Sequence, residues 1–222
     1  MKKSIIRLLT ILLISQIPFN VYSSNHVGNS HTKESITNIK KQIIKTEKAR
    51  VLSLADSFLL EKPVTVTSFT CARSAGGIHD YYSEATYWWP NPADPNGAYI
   101  RKDGLNNPAN FDSHRQAISQ FSWVVGTETS AYLLTGKKKY AIAAVAHLKA
   151  WFVNPETTMN PNFLYAQAIK GVNTGRGIGI IDGIPFIEVT KSIQVLENSP
   201  YLVFERKLLI INKSIRYSKI NV

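Results

Sequence analysis

Cysteine is almost absent from this chain. Cys71 stands alone among 222 residues, which excludes an internal disulfide and any zinc site built on several thiolates. Acidic side chains are scarce too, 15 against 26 Lys and Arg, for a net charge of +11. No apolar run approaches the ~20 residues that a membrane-spanning helix needs. No segment alternates apolar and polar residues as a half-buried strand does, so regular structure is expected to be helical throughout. His, Asp and Glu nowhere show the spacing of a metal site, and no cofactor is expected. Gly175, Gly177 and Gly179 form G-x-G-x-G without the strand–loop–helix setting of a dinucleotide fingerprint. They read instead as points where backbone passes close beneath another loop.

The charge is unevenly placed. Residues 1–23 carry three of the excess positive charges, from Lys2, Lys3 and Arg7, and residues 203–222 carry four, leaving +4 for residues 24–202. That remainder is no nucleic-acid footprint, since no basic stripe or DNA-reading motif accompanies it. The basic start, the apolar stretch 8–17, Pro18 and the small-residue end near Ser23 have the order of a secretory signal peptide. Residues 1–23 are therefore expected to be a leader and 24–34 a polar linker. The mature chain is expected to be exported to the periplasm or beyond, with no membrane attachment, as a monomer. For such a protein an anionic polysaccharide is the fitting partner. A hydrophobic fraction of 44% supports a packed core over residues 35–200.

Helical periodicity appears in four places. Residues 35–60 place Ile36, Ile39, Ile43, Ile44, Val51, Leu54 and Leu59 at helical spacing, and Pro63 ends the run. A second helix starts after Asp112, a suitable N-cap, and closes at Gly136. A third spans 137–152, and a fourth spans 185–196 with Pro185 at its start. The connection between the second and third is so short that they must pair antiparallel.

Between these helices lie two long polar-aromatic loops. Residues 74–115 hold Tyr81, Tyr82, Tyr87, Trp88, Trp89 and Tyr99 among prolines and glycines. Residues 158–182 hold Asn160, Asn162, Tyr165, Gln167 and Arg176. Loops of this length are usually functional, and aromatic rings beside amides and guanidiniums suit a saccharide site. Tyr81, Tyr87, Trp88 and Trp89 are candidates for stacking on sugar, with a core role open for the tryptophans. Arg101, Arg115 and Arg176 are candidates for gripping carboxylates, which guanidinium does bidentately; Arg115 has Asp112 or Asp103 as alternative partners. Asn160, Asn162, Tyr165 and Gln167 offer groups for hydroxyls. His79, Tyr82 and His114 are the candidate proton-transfer groups, His79 having loop fixation beside Asp80 as an equal alternative. His147 reads as structural, and His26 and His31 as linker residues.

The strings SAGGIHDYYSEATYWWPNP, NPANFDSHR, AWFVNPETTMNPNFLYAQAI and TGRGIGIIDGI resemble, in this order, the alginate lyase domain of secreted bacterial polysaccharide lyases. The resemblance covers about residues 45–200. It implies an all-α fold, an incomplete (α/α) toroid of helical hairpins around a groove for uronic-acid polymers. The implied reaction is metal-independent β-elimination: a base removes the C5 proton, an acid protonates the leaving oxygen, and neutralising the C5 carboxylate makes that proton acidic. The family's usual Asn-Asn-His stretch, with a later Arg and Tyr, is missing here; Asn106-Asn107 precedes Pro108. Residues 201–222 read as a divergent basic tail. A truncated, non-catalytic uronate-binding remnant is therefore one alternative to an active lyase. A glycoside hydrolase on a similar toroid is another, drawing on Asp80, Glu84, Asp94, Asp103 or Asp112.

Overall fold

The computed structural model describes residues 33–202. The expected leader, the linker up to residue 32 and residues 203–222 of the basic tail lie outside the described residues. Helix α1 (Lys33–Phe58) begins two residues before the expected boundary. It buries Val51, Ala55 and Phe58, spaced i, i+4, i+7. Helix α2 (Ser113–Thr135) ends where Gly136 adopts φ 68° and its N–H reaches the Tyr132 carbonyl at 2.7 Å, the left-handed stop that glycine makes without strain. Helix α3 (Lys138–Phe152) starts two residues later and packs back along α2. Helix α4 (Phe186–Leu196) lies on another side of α2.

The core sits where these helices converge. Phe121 of α2 stacks on Trp151 of α3, centroids 4.7 Å apart and planes 14° from parallel. Phe186 at the start of α4 contacts Phe121, Trp151, Phe152 and Phe163 edge-on or tilted. Ala141 and Ala144 let α3 approach closely, while Ile118, Val125, Leu148, Val189, Ile193 and Leu196 fill the remainder. Each such buried side chain contributes roughly 1.5–3 kcal/mol, and together they hold the ends of the two long loops in place.

The fold is mostly helical, and the all-α expectation is corrected by four short strands inside the loops. β1 (Tyr82–Glu84) pairs parallel with β4 (Tyr165–Ala168). β2 (Trp88–Trp89) pairs antiparallel with β3 (Ile100–Arg101). Strands of two to four residues are too short to show a two-residue alternation, and the β1–β4 partners lie far apart in sequence. The link over residues 64–69 contains a 3₁₀ turn (Val66–Ser68) capped by Thr65. Asp112 precedes α2, but its carboxylate accepts from the Gln116 amide at 3.0 Å instead of capping backbone N–H groups.

Candidate functional site

The two loops are joined through one buried carboxylate. Asp182, on a 3₁₀ segment (Gly177–Gly183) beneath loop two, accepts hydrogen bonds from Tyr81 Oη at 3.0 Å and Ser83 Oγ at 2.5 Å. It also accepts from Gln167 Nε2 at 2.9 Å and from Arg115, whose Nε and Nη2 lie 3.3 and 3.4 Å away. A buried carboxylate persists as an ion only with such compensation. Gly179, one turn earlier on the same inner edge, has no room for a side chain: a Cβ there would meet the Ala166 Cβ at 2.5 Å. Gly179 thus lets the 3₁₀ segment press against β4, so the close passage is beneath a strand of the same loop rather than another loop.

Gln167 is the point where this network meets the surface. Two steps along β1 (Tyr82 to Glu84) match three steps along β4 (Tyr165 to Ala168), so β4 carries a bulge. Gln167 sits in that bulge with φ 56°, the sole positive φ outside glycine among the described residues. A left-handed non-glycine residue costs on the order of 1–3 kcal/mol and needs its surroundings to hold it. Here Ser83 Oγ accepts its N–H at 2.8 Å, Asp182 accepts from its amide, and Arg176 Nε donates to its carbonyl at 3.1 Å.

A cleft of 390 Å³ opens over Gln167. Thr86, Tyr87, Trp88, Arg101, Arg176, Ile178 and Ile181 complete its wall. Burial, and then the positive charge of Arg101, lower the pKa of Arg176. A carboxylate bound between the two guanidiniums relieves that repulsion. Arg101 also pairs with Asp103 at 3.0 Å, but both side chains are well exposed, so the pairing is weak and exchangeable. Neither Trp88 nor Trp89 plugs the core: both are half-buried. Trp88 lines the cleft, whereas Trp89 donates to the Leu105 carbonyl at 2.9 Å and carries Lys102 over its ring.

The remaining candidates fall into separate places. His79, Asp80, Asn160 and Tyr165 meet where the loops cross: His79 Nδ1 lies 2.7 Å from the Thr158 carbonyl and Asn160 Nδ2 donates to Asp80 at 2.8 Å. Since a carbonyl only accepts, His79 donates from Nδ1 to it, and Nε2 points elsewhere. Tyr165 packs beside Gly76 in the same crossing. Asn162 folds back to accept the Leu164 N–H at 3.1 Å. His114 is enclosed, with Nδ1 accepting the Tyr82 N–H at 3.0 Å and Nε2 facing the Phe69 carbonyl at 3.2 Å. Burial depresses its pKa, so it is a neutral strut between segments. Tyr82 Oη donates to Glu84 at 2.9 Å, and burial followed by that carboxylate raises its pKa. Tyr81 is fully enclosed and acts through Asp182. Arg115 pairs with Asp182 rather than with Asp112 or Asp103.

Two important groups escaped the sequence reading. Asp182 carries no local signal beyond its place in the glycine string. Glu84, considered only as a hydrolytic carboxylate, is instead gripped by Arg73 Nε and Nη2 at 2.5 and 2.7 Å and by the Phe111 N–H at 2.6 Å. Burial opposes its charge, but Arg73 and the other donors prevail and hold its carboxyl below the ordinary value. Asp80, Glu84, Asp94, Asp103 and Asp112 are all absent from the cleft lining. A larger hollow of 570 Å³, lined by Phe58, Glu61, Arg115, Gln116, Ser119, Gln120 and Trp123, has amides satisfied by nearby carboxylates.

Facing guanidiniums, an amide and aromatic rings on a mostly helical scaffold are the chemistry of a protein that handles anionic carbohydrate. Comparison with known proteins agrees. The alginate lyase family model matches residues 65–207, and the chain belongs to that family. It is also similar to the crystal structure of an alginate lyase from Bacteroides ovatus, at 36% identity and a TM-score of 0.70. The alignment covers 77% of this chain and 46% of that one, so the chain matches just under half the length of that structure. No curated protein matches significantly.

Proposed function

We propose that this chain acts on uronic-acid polymers such as alginate, as an exported, monomeric polysaccharide lyase whose helical hairpins form part of an incomplete (α/α) toroid. The observation that carries the reading is the placement of Arg101 and Arg176 on one cleft with Gln167, Tyr87 and Trp88. A uronate ring needs a flat apolar surface for one face and cations with an amide for its carboxylate, and the cleft provides both. Binding the carboxylate there withdraws charge from C5, which is what an elimination requires of its site. The proton then passes to a base and the leaving oxygen takes one from an acid.

Among the three proton-transfer candidates, His79 alone has a ring nitrogen without a hydrogen-bond partner among the described residues, and it sits at the loop crossing rather than on the cleft lining. Tyr87 is the one phenol on that lining. This separation favours a second reading, a uronate-binding unit whose proton-transfer groups come from elsewhere. The hydrolase reading lacks support, because none of its carboxylates lines the cleft.

The test is ultraviolet absorbance of unsaturated product with polymannuronate, polyguluronate and glucuronan, alongside equilibrium binding of each polymer. Rising absorbance supports the lyase, and Tyr87→Phe and His79→Ala then separate proton transfer from stacking. Salt-sensitive binding without absorbance supports the binding unit. Neither binding nor absorbance on any polymer sinks both.

A further inference from the structure

The crossing of α1 and α2 carries a face that shares no lining residue with the cleft. Trp123 of α2 is 42% exposed there, whereas Trp151 is enclosed and Trp88 and Trp89 are half-buried. Its ring is held in place, because Phe58 of α1 meets it edge-on with centroids 5.1 Å apart and planes at 76°. Two hollows meet at that ring. One, of 570 Å³, extends to Glu61, Gln116 and Gln120; the other, of 370 Å³, extends to Arg50, Ser53 and Ser57. The spacing in sequence explains the arrangement. Gln116, Gln120 and Trp123 stand at i, i+4 and i+7 on α2, and Arg50, Ser53 and Ser57 at i, i+3 and i+7 on α1. Two polar helix faces thus border one fixed aromatic ring.

Which ligand suits this face is decided by which of its groups are already engaged. Gln116 Nε2 donates to Asp112 at 3.0 Å, and Gln120 Nε2 donates to Glu61 Oε2 at 2.9 Å. Arg115 pairs with Asp182 and Arg50 with Glu47. The amides and the cations thus have carboxylate partners of their own. The side-chain carbonyls of both glutamines and Glu61 Oε1 are left as acceptors without a partner among the described residues. Acceptors call for a ligand that donates. Sugar hydroxyls donate, whereas a uronate carboxylate only accepts and would meet the Glu61 charge. We propose that the Trp123 face binds a neutral glycan chain, one hexose ring stacked on the indole and its neighbours in the two hollows. The proposal does not rest on the uronate reading of the cleft. Because Phe58 fixes the ring before any ligand arrives, stacking on it costs little ordering. A second copy of the chain fits less well. A stable interface covers about 800 Å² per partner around an apolar centre, and Trp123 is the one exposed apolar side chain lining either hollow.

Calorimetric titration of the full chain with cellohexaose, mannohexaose and laminarihexaose, all uncharged, and with a mannuronate hexamer reads this directly. At least one neutral hexamer should bind, with an affinity that added salt leaves unchanged. Trp123→Leu keeps apolar packing on Phe58 but removes the flat ring, and should weaken that binding on the order of tenfold. Trp123→Phe restores a ring and should recover most of the loss. Gln120→Ala, at an exposed position, should weaken it severalfold without lowering the melting temperature, so the reading survives even if Trp123→Leu fails to fold. Arg101→Ala combined with Arg176→Ala should leave neutral binding intact. Failure of all three neutral hexamers to bind overturns the proposal, as does neutral binding that ignores both Trp123→Leu and Gln120→Ala. Neutral binding lost with the arginine pair moves the ligand to the cleft and overturns it too. A mannuronate hexamer that loses affinity in Trp123→Leu overturns the neutral class, whereas one that binds and ignores Trp123→Leu leaves the uronate reading of the cleft standing on its own. Self-association of the free chain that Trp123→Leu abolishes assigns the face to a second copy and overturns the glycan.

Discussion

Glu128 offers a sharp test of the packing. It lies on α2 facing α1 and α3, fully enclosed, and neither of its carboxyl oxygens has a hydrogen-bond partner. The charged groups around it are Asp56 and Lys139, which pair with each other while Tyr140 Oη donates to Asp56 at 3.0 Å. Burial first, and then the Asp56 charge, push the Glu128 pKa up to about 8 against a small opposing pull from Lys139. The folded chain therefore keeps this proton at pH values where the unfolded chain has released it. Stability contributed by the neutral form is fully present below the unfolded value near 4.5 and is lost as pH rises towards 8. The slope is about 1.4 kcal/mol per pH unit, and the total loss is on the order of 4 kcal/mol. Glu128→Gln removes the ionisation while keeping the shape. Its advantage over wild type in urea denaturation should be small at pH 5 and grow to a few kcal/mol by pH 8. Histidine effects cancel in that difference, because both proteins share them. A difference that stays constant across pH, or a Gln variant less stable at every pH, refutes the argument.

Arg176→Ala should weaken uronate-polymer binding by about 1.5–3 kcal/mol, the worth of a charge-assisted contact, and flatten its salt dependence; isothermal titration at two ionic strengths checks this. Asp182→Asn should cost about 3 kcal/mol or more in thermal unfolding, because it leaves Arg115 half-buried without its counter-charge. His114 and His147 both have pKa values depressed by burial, so their folded states resist protonation. Stability from them is present above about 6.5 and is lost as pH falls below it; His147→Gln should shrink that acid loss in urea titrations between pH 7 and 5. Phe121→Ala, which removes the ring stacked on Trp151, should cost about 3–5 kcal/mol by thermal melting.

The helices were legible because their signals are local. Val51, Ala55 and Phe58 repeat along one face, Gly136 closes α2 in the one conformation that favours glycine, and Asn154 with Pro155 ends α3. The strands were not legible, because their cause is distant. Tyr82–Glu84 forms a strand only since Tyr165–Ala168 lies beside it, and neither stretch is long enough to announce a period. Asp112 shows the limit of even a good local rule: its carboxylate has a neighbouring amide, Gln116, that outcompetes the backbone N–H groups it was expected to cap.

The site divides along the same line. Residue types suited to uronate were visible in sequence, and Arg101, Arg176, Gln167, Tyr87 and Trp88 do share one cleft. Their sorting was not visible, because it depends on which polar groups are turned inward. Tyr81, Tyr82, Arg115 and His114 have the same chemistry as cleft residues, yet their partners are Asp182, Glu84 and backbone. A buried polar group must be satisfied, so each inward-facing carboxylate consumes the donors nearest to it and leaves the others for a ligand. Asp182 takes Tyr81, Ser83 and Arg115, and it also accepts from Gln167, whose amide bridges Asp182 and Arg176 beneath the cleft. The selection of surface groups is thus set from beneath. A change confined to Asp182 should disorder the Gln167 bulge before it disturbs Arg101, which rests on β3 and Asp103 alone.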